Sequence, residues 1–142
     1  MCHEIVVFNR YEAAEFDWDG RWASISISGA DDDFPPLPAE NCVAKLQVTF
    51  DDVEYAAPGR IAFADHLAHD ILDFVTHHWN RIDTLLVHCH HGLHRSAAVA
   101  AAISRLKFGD DGEFVDEPYD PNVLVYRTLI EVASGRADYQ DW

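Results

Sequence analysis

One stretch of the chain gathers residues that can do covalent chemistry: His88-Cys89-His90-His91-Gly92-Leu93-His94-Arg95-Ser96. A cysteine thiol becomes a nucleophile when it ionises, and it does so readily at a helix N-terminus beside a guanidinium. Arg95 offers a planar fork of donors that matches two oxygens of a phosphate, a match that a lysine ammonium does not reproduce. The Ser96 hydroxyl can donate to the sulfur or help it leave. Five residues separate Cys89 from Arg95, enough for a tight loop whose amides point inward around an oxyanion. Gly92 falls where a side chain would resist the turn. These residue types at this spacing predict attack by sulfur on an anionic ester held in a ring of N–H donors.

Metal chemistry is the competing use of the same residues, because His88, His90, His91 and His94 surround the cysteine. Their spacing is not that of a finger or ribbon site, and a metal on Cys89 would block the oxyanion loop, so neither a metal nor a cofactor is expected.

Such a loop needs a strand to deliver it and a helix to receive it. Leu85, Leu86 and Val87 form a continuous apolar run that reads as a buried parallel strand, and residues 96–107, rich in alanine, read as a helix. Residues 4–8 predict a first strand, and residues 11–18 a short helix or turn. Residues 22–28 alternate apolar with serine, a second strand, and run into an acidic, proline-rich loop over 29–38 that could border the site. From Cys42 to Phe50 the even positions are apolar while Lys45, Gln47 and Thr49 are polar, a strand with one buried face ending at Asp51-Asp52. A helical pattern opens at Pro58-Gly59 and runs through Leu67, Ile71 and Val75 to Trp79. Its histidines, His66, His69, His77 and His78, read as surface or boundary residues. Gly109 suits a left-handed helix stop. Residues 110–120 read as an acidic surface loop, and a last helix runs to Gly135 with Asp120 as its cap and Pro121 as its first residue.

His88-Cys89-x-x-Gly92-x-x-Arg95-Ser96 resembles, at every fixed position, the HCxxGxxR(S/T) signature of the cysteine-dependent protein tyrosine and dual-specificity phosphatases. The resemblance extends from about Val43 to Ser96, where strand, acidic turn, long helix, apolar strand and loop follow in the dual-specificity order, and loosely to Pro121-Asn122. It implies an α/β fold, a short, mostly parallel sheet with helices on both faces, and a shallow pocket without the segments that deepen it in larger tyrosine phosphatases. It also implies roles. Cys89 is the nucleophile; Arg95 and the loop from His90 through His91, Gly92, Leu93 and His94 bind phosphate; Ser96 assists the sulfur; His88 and Asn122 are supporting residues. The general acid is expected at Asp52, with Asp51 as runner-up. Alternation from Leu46, Val48 and Phe50 puts Asp52 on their side and Asp51 opposite. Asp110, Asp111, Asp116 and Asp120 would serve if the acid came from downstream.

Length and charge bound the rest. The 142 residues are 49% hydrophobic and 12% aromatic, which predicts one folded domain rather than disorder. Ten basic against 25 acidic residues give a formal charge of −15, which disfavours nucleic acid and anionic membranes as partners. Three cysteines with no signal peptide or long apolar stretch predict a reducing, cytoplasmic setting, and the chain is expected to act as a monomer on a phosphorylated protein or small phosphomonoester. Three other functions stay open: a phosphate-binding module without turnover, a cysteine phosphatase for a non-protein substrate, and an oxyanion reductase using Cys2 or Cys42 as resolving thiol.

Overall fold

The apolar runs pair edge to edge. In the computed structural model, which describes residues 1–142 apart from the side chain of Asp141, β1 (Glu4–Phe8), β2 (Trp22–Ser28), β3 (Cys42–Thr49) and β4 (Thr84–His88) form one sheet in the order β1-β4-β2-β3. Every neighbouring pair runs parallel, so all four strands end at the same edge, and the loop after β4 emerges there between β1 and β2. The helices are α1 (Arg10–Ala14), α2 (Asp65–His78), α3 (Arg95–Phe108), α4 (Gly112–Val115) and α5 (Val123–Ser134).

Period two divides the side chains between two unequal layers. Ile5, Val7, Ile25, Ile27, Leu85 and Val87 face α2, α3 and α5 in the main core. Leu86 and Trp22 face the other way, against Ala13 and Phe16, under the single short α1. That helix is started by Asn9, whose Oδ1 accepts the Tyr11 and Glu12 amides while Glu12 Oε1 accepts the Asn9 amide, a reciprocal cap. α3 lies closest to the centre: Arg95 to Ser104 are all buried.

Four boundaries differ from the sequence pattern. The register between β2 and β3 shifts at Trp22/Ala23, so that Cys42 packs in the smaller layer while Ala44 and Leu46 join the main core. A bulge of this kind breaks alternation without leaving a mark in residue type. α2 begins at Asp65, not at Pro58-Gly59: Gly59 takes a φ of 72°, and residues 60–64 form no helix, Ile61 pairing with Asp51 instead and remaining 41% exposed. Asn122, rather than Asp120, caps α5 by accepting the Val125 amide at 3.1 Å, and Pro121 lies outside the helix. The acidic segment 110–120 includes α4, which anchors itself by the buried Phe114.

Candidate active site

The loop after β4 is gripped on both flanks by backbone. Gly92 has a φ of 72°, and a methyl group on it would lie 2.7 Å from Asn9 N and 2.8 Å from the Phe8 carbonyl carbon. Glycine is required there twice over, for the left-handed turn and for the close approach of the β1 end. On that side the Arg10 amide donates to His90 O (3.3 Å); on the other, the Asp120 and Asn122 amides donate to Leu93 O (2.9 Å) and His94 O (3.0 Å). The segment that leads into α5 is therefore part of the wall.

Cys89 is 2% exposed. Its Sγ accepts the Gly92 N–H at 3.3 Å and lies 3.0 Å from Ser96 Oγ. Arg95 opens α3 and is 7% exposed; its Nη1 donates to Phe50 O at 2.9 Å, leaving its other N–H groups for an anion. His94, at the N-cap, makes no side-chain capping bond, so the first-turn amides of α3 are not covered by a capping group.

The two aspartates after β3 have opposite surroundings. Phe50, just beyond the strand end at Thr49, is buried in step with Val48, but Asp51 is then buried and Asp52 exposed, so alternation does not carry through to position 52. Asp51 is buried, its Oδ2 accepting the Ile61 amide at 2.7 Å and its Oδ1 the Ala30 amide at 3.2 Å. The Ile61 amide above all, then the Ala30 amide and the guanidiniums of Arg60 and Arg95, hold its carboxyl below the usual carboxylate range against the opposing effect of burial. Asp52 is exposed, and its Oδ1 accepts Asn122 Nδ2–H at 2.8 Å. Asn122 is buried and also donates to Val53 O at 3.2 Å, so it reads the acidic turn with one end and caps α5 with the other.

His88 ends β4 on the face that carries Ser26, its partner in the ladder, and its Nε2 lies 2.6 Å from Ser26 Oγ. Burial, assisted by the nearby Arg10, pushes its pKa down to about 4, so the ring is neutral at physiological pH. Its Nδ1 is buried with no hydrogen-bond partner among the described residues.

These groups surround a cavity of about 400 Å³. Of the predicted residues, Cys89, His90, His91, His94, Arg95, Asp51 and Asp52 line it, while Gly92, Leu93, Ser96, His88 and Asn122 lie behind that surface. Among the basic residues outside the loop, Arg60 reaches the cavity; Lys45 instead donates to Leu37 O and Arg105 to the Tyr126 hydroxyl. Asp32, from the acidic 29–38 loop expected to border the site, also lines the cavity; sequence reasoning did not single out Ser26. The serine carried a signal in hindsight, since it faces His88 once the parallel register is known. Among the described residues no three His, Cys, Asp or Glu side chains converge in a way that could hold a metal ion. No helix there is long and apolar enough to cross a membrane.

No protein-family model matches the sequence, and no curated protein does. Solved structures do match in shape. The human tyrosine phosphatase-like serine/threonine/tyrosine-interacting protein aligns with a TM-score of 0.66 at 18% identity, covering 92% of this chain and 91% of that one. Human DUSP28 aligns at 0.60 and 17% identity over 90% of each chain. PTPMT1 in complex with PI(5)P aligns at 0.57 and 15% identity over 92% of this chain and 87% of that one. The chain thus has the fold of the dual-specificity and tyrosine phosphatases.

Proposed function

We propose that the protein hydrolyses phosphate monoesters through a phosphocysteine intermediate, with phosphotyrosine and phosphoserine or phosphothreonine in proteins as the substrate class. One observation carries the reading. Cys89 Sγ, fed by the Gly92 amide and the Ser96 hydroxyl, lies on the same cavity as an arginine held in place by Phe50 O. The sulfur attacks phosphorus while Arg95 and the loop amides hold the equatorial oxygens, and the bond from phosphorus to the ester oxygen breaks. Asp52 gives its proton to that leaving oxygen. The resulting carboxylate then takes a proton from water as it attacks the phosphocysteine, and sulfur departs with the Ser96 hydroxyl donating to it. Asp52 is preferred to Asp51 as the acid because Asn122 occupies only its Oδ1, leaving Oδ2 to carry a proton, whereas both oxygens of Asp51 already accept amides. No step requires a metal.

The test is turnover of p-nitrophenyl phosphate in EDTA. Cys89→Ser should abolish it while phosphate still binds. Arg95→Lys should lose roughly 1.5–3 kcal/mol of charge-assisted hydrogen bonding, some ten- to hundredfold in kcat/KM. Asp52→Asn should slow phenyl phosphate far more than p-nitrophenyl phosphate, whose leaving group departs without a proton. Activity that disappears in EDTA and returns with zinc would refute the sulfur mechanism. The name of the human phosphatase-like interacting protein favours one second reading, phosphate recognition without turnover; an inactive wild type that binds phosphate would establish it.

A further inference from the structure

Of the carboxylates lining the cavity, Asp51 is the buried one. A carboxylate taken out of water must be met by donors, and here the donors come from two distant backbone segments. Ile61 and Asp51 bond reciprocally, the Asp51 amide donating to Ile61 O and the Ile61 amide to Asp51 Oδ2, each at 2.7 Å. The other oxygen takes the Ala30 amide and lies 3.9 Å from Arg60 Nη1. A methyl group on Gly29 would fall 2.6 Å from Asp51 Oδ1 and 3.6 Å from Arg95 Nη1, so carboxylate and guanidinium share one crowded corner.

The neighbours of Asp51 in the chain give this arrangement its meaning. Phe50 supplies the carbonyl that seats Arg95, and Asp52 carries the proposed proton. Both lie beyond the end of β3 at Thr49; the Phe50 amide still donates to Ser28 O at 3.0 Å, but the Asp51 amide turns away from β2 to Ile61 O, so the sheet no longer sets the path of the turn. We infer that Asp51 is a positioning residue: its bonds to Ile61 and Ala30 clamp the Phe50–Asp52 turn, and so hold the phosphate-binding arginine and the general acid in register with Cys89. The inference rests on the phosphatase reading above. It also accounts for the non-helical run before α2, since a helix starting at Pro58-Gly59 would leave Ile61 unable to exchange its two bonds with Asp51.

Asp51→Asn keeps the size of the side chain but turns an amino group toward an amide that needs an acceptor. The measurements are the affinity for inorganic phosphate by calorimetry and the kinetics on phenyl and p-nitrophenyl phosphate, with folding checked by circular dichroism. The variant should weaken phosphate about tenfold, near 1.4 kcal/mol, and steepen the dependence on leaving group as well, two effects that a merely structural loss would not produce together. Gly29→Ala pushes on the carboxylate without removing it and should show the same pair in milder form; it replaces Asp51→Asn if that variant does not fold. Unchanged phosphate affinity in both variants overturns the inference. Leaving-group dependence without an affinity change in Asp51→Asn also overturns it, by making Asp51 the acid. A wild type that binds phosphate but turns over no aryl phosphate would fail the phosphatase reading instead, and the affinity series would still test the clamp.

Discussion

His88 is a buried neutral histidine next to Cys89, the proposed nucleophile, and its protonation links the site to stability. Its pKa is about 4 in the fold against 6.5 in the unfolded chain, so the unfolded state takes up a proton first as pH falls. The fold keeps its full contribution above about pH 6.5 and loses it progressively down to about pH 4, a total of roughly 3 kcal/mol. Thermal melting of the wild type should therefore fall more steeply across that window than melting of His88→Gln; parallel curves would show that the ring does not titrate with unfolding. At this scale the sequence was most readable where spacing alone decides. Cys89, Gly92, Arg95 and Ser96 are fixed by the loop they make, whereas Ser26 and Ile61 matter only because distant segments meet, which no local pattern records.

α5 is the element whose start does two jobs. Asn122 satisfies the first turn with Oδ1 and holds Asp52 with Nδ2, so stability and the proposed catalytic role can be separated by substitution. Asn122→Ala should cost about 1 kcal/mol, the usual worth of a cap. Asn122→Ser keeps a capping oxygen and should recover most of the melting temperature. Both should slow phenyl phosphate hydrolysis more than p-nitrophenyl phosphate hydrolysis, and equal recovery of stability and kinetics by the serine would show that the cap is all that Asn122 provides. Elements with a strong local signal, the apolar runs of β1 and β4 and the alanine-rich α3, were legible in the sequence to within a residue or so. The starts of α2 and α5 were not, because hydrogen bonds to Asp51 and to the loop carbonyls outweighed helix propensity and proline preference.

The molecule as a whole carries a formal charge of −15, and its mouth offers Arg60, Arg95 and the loop histidines against three aspartates. An acidic phosphopeptide approaches against that field. Salt shortens the reach of the repulsion, the Debye length falling from about 30 Å at 0.01 M to about 8 Å at 0.15 M. kcat/KM for such a peptide should therefore rise over that range at pH 7.5 while kcat stays level. A fall would mean that the cationic rim, not the overall charge, governs encounter.

The ten consecutive buried residues of α3 have a consequence for how this protein can change. Ala97, Ala98, Ala100, Ala101 and Ala102 are each 0% exposed, and extra bulk forced into a filled core typically costs about 1–3 kcal/mol out of a total of roughly 5–15. One such mutation takes roughly a fifth of that total, so only a few can accumulate. Asp32, Arg60 and His91 lie exposed on the same cavity, where replacement costs the fold little. Inherited variation can accordingly reshape the mouth more readily than the helix behind Cys89, so freedom at the rim and constraint in α3 follow from one packing arrangement.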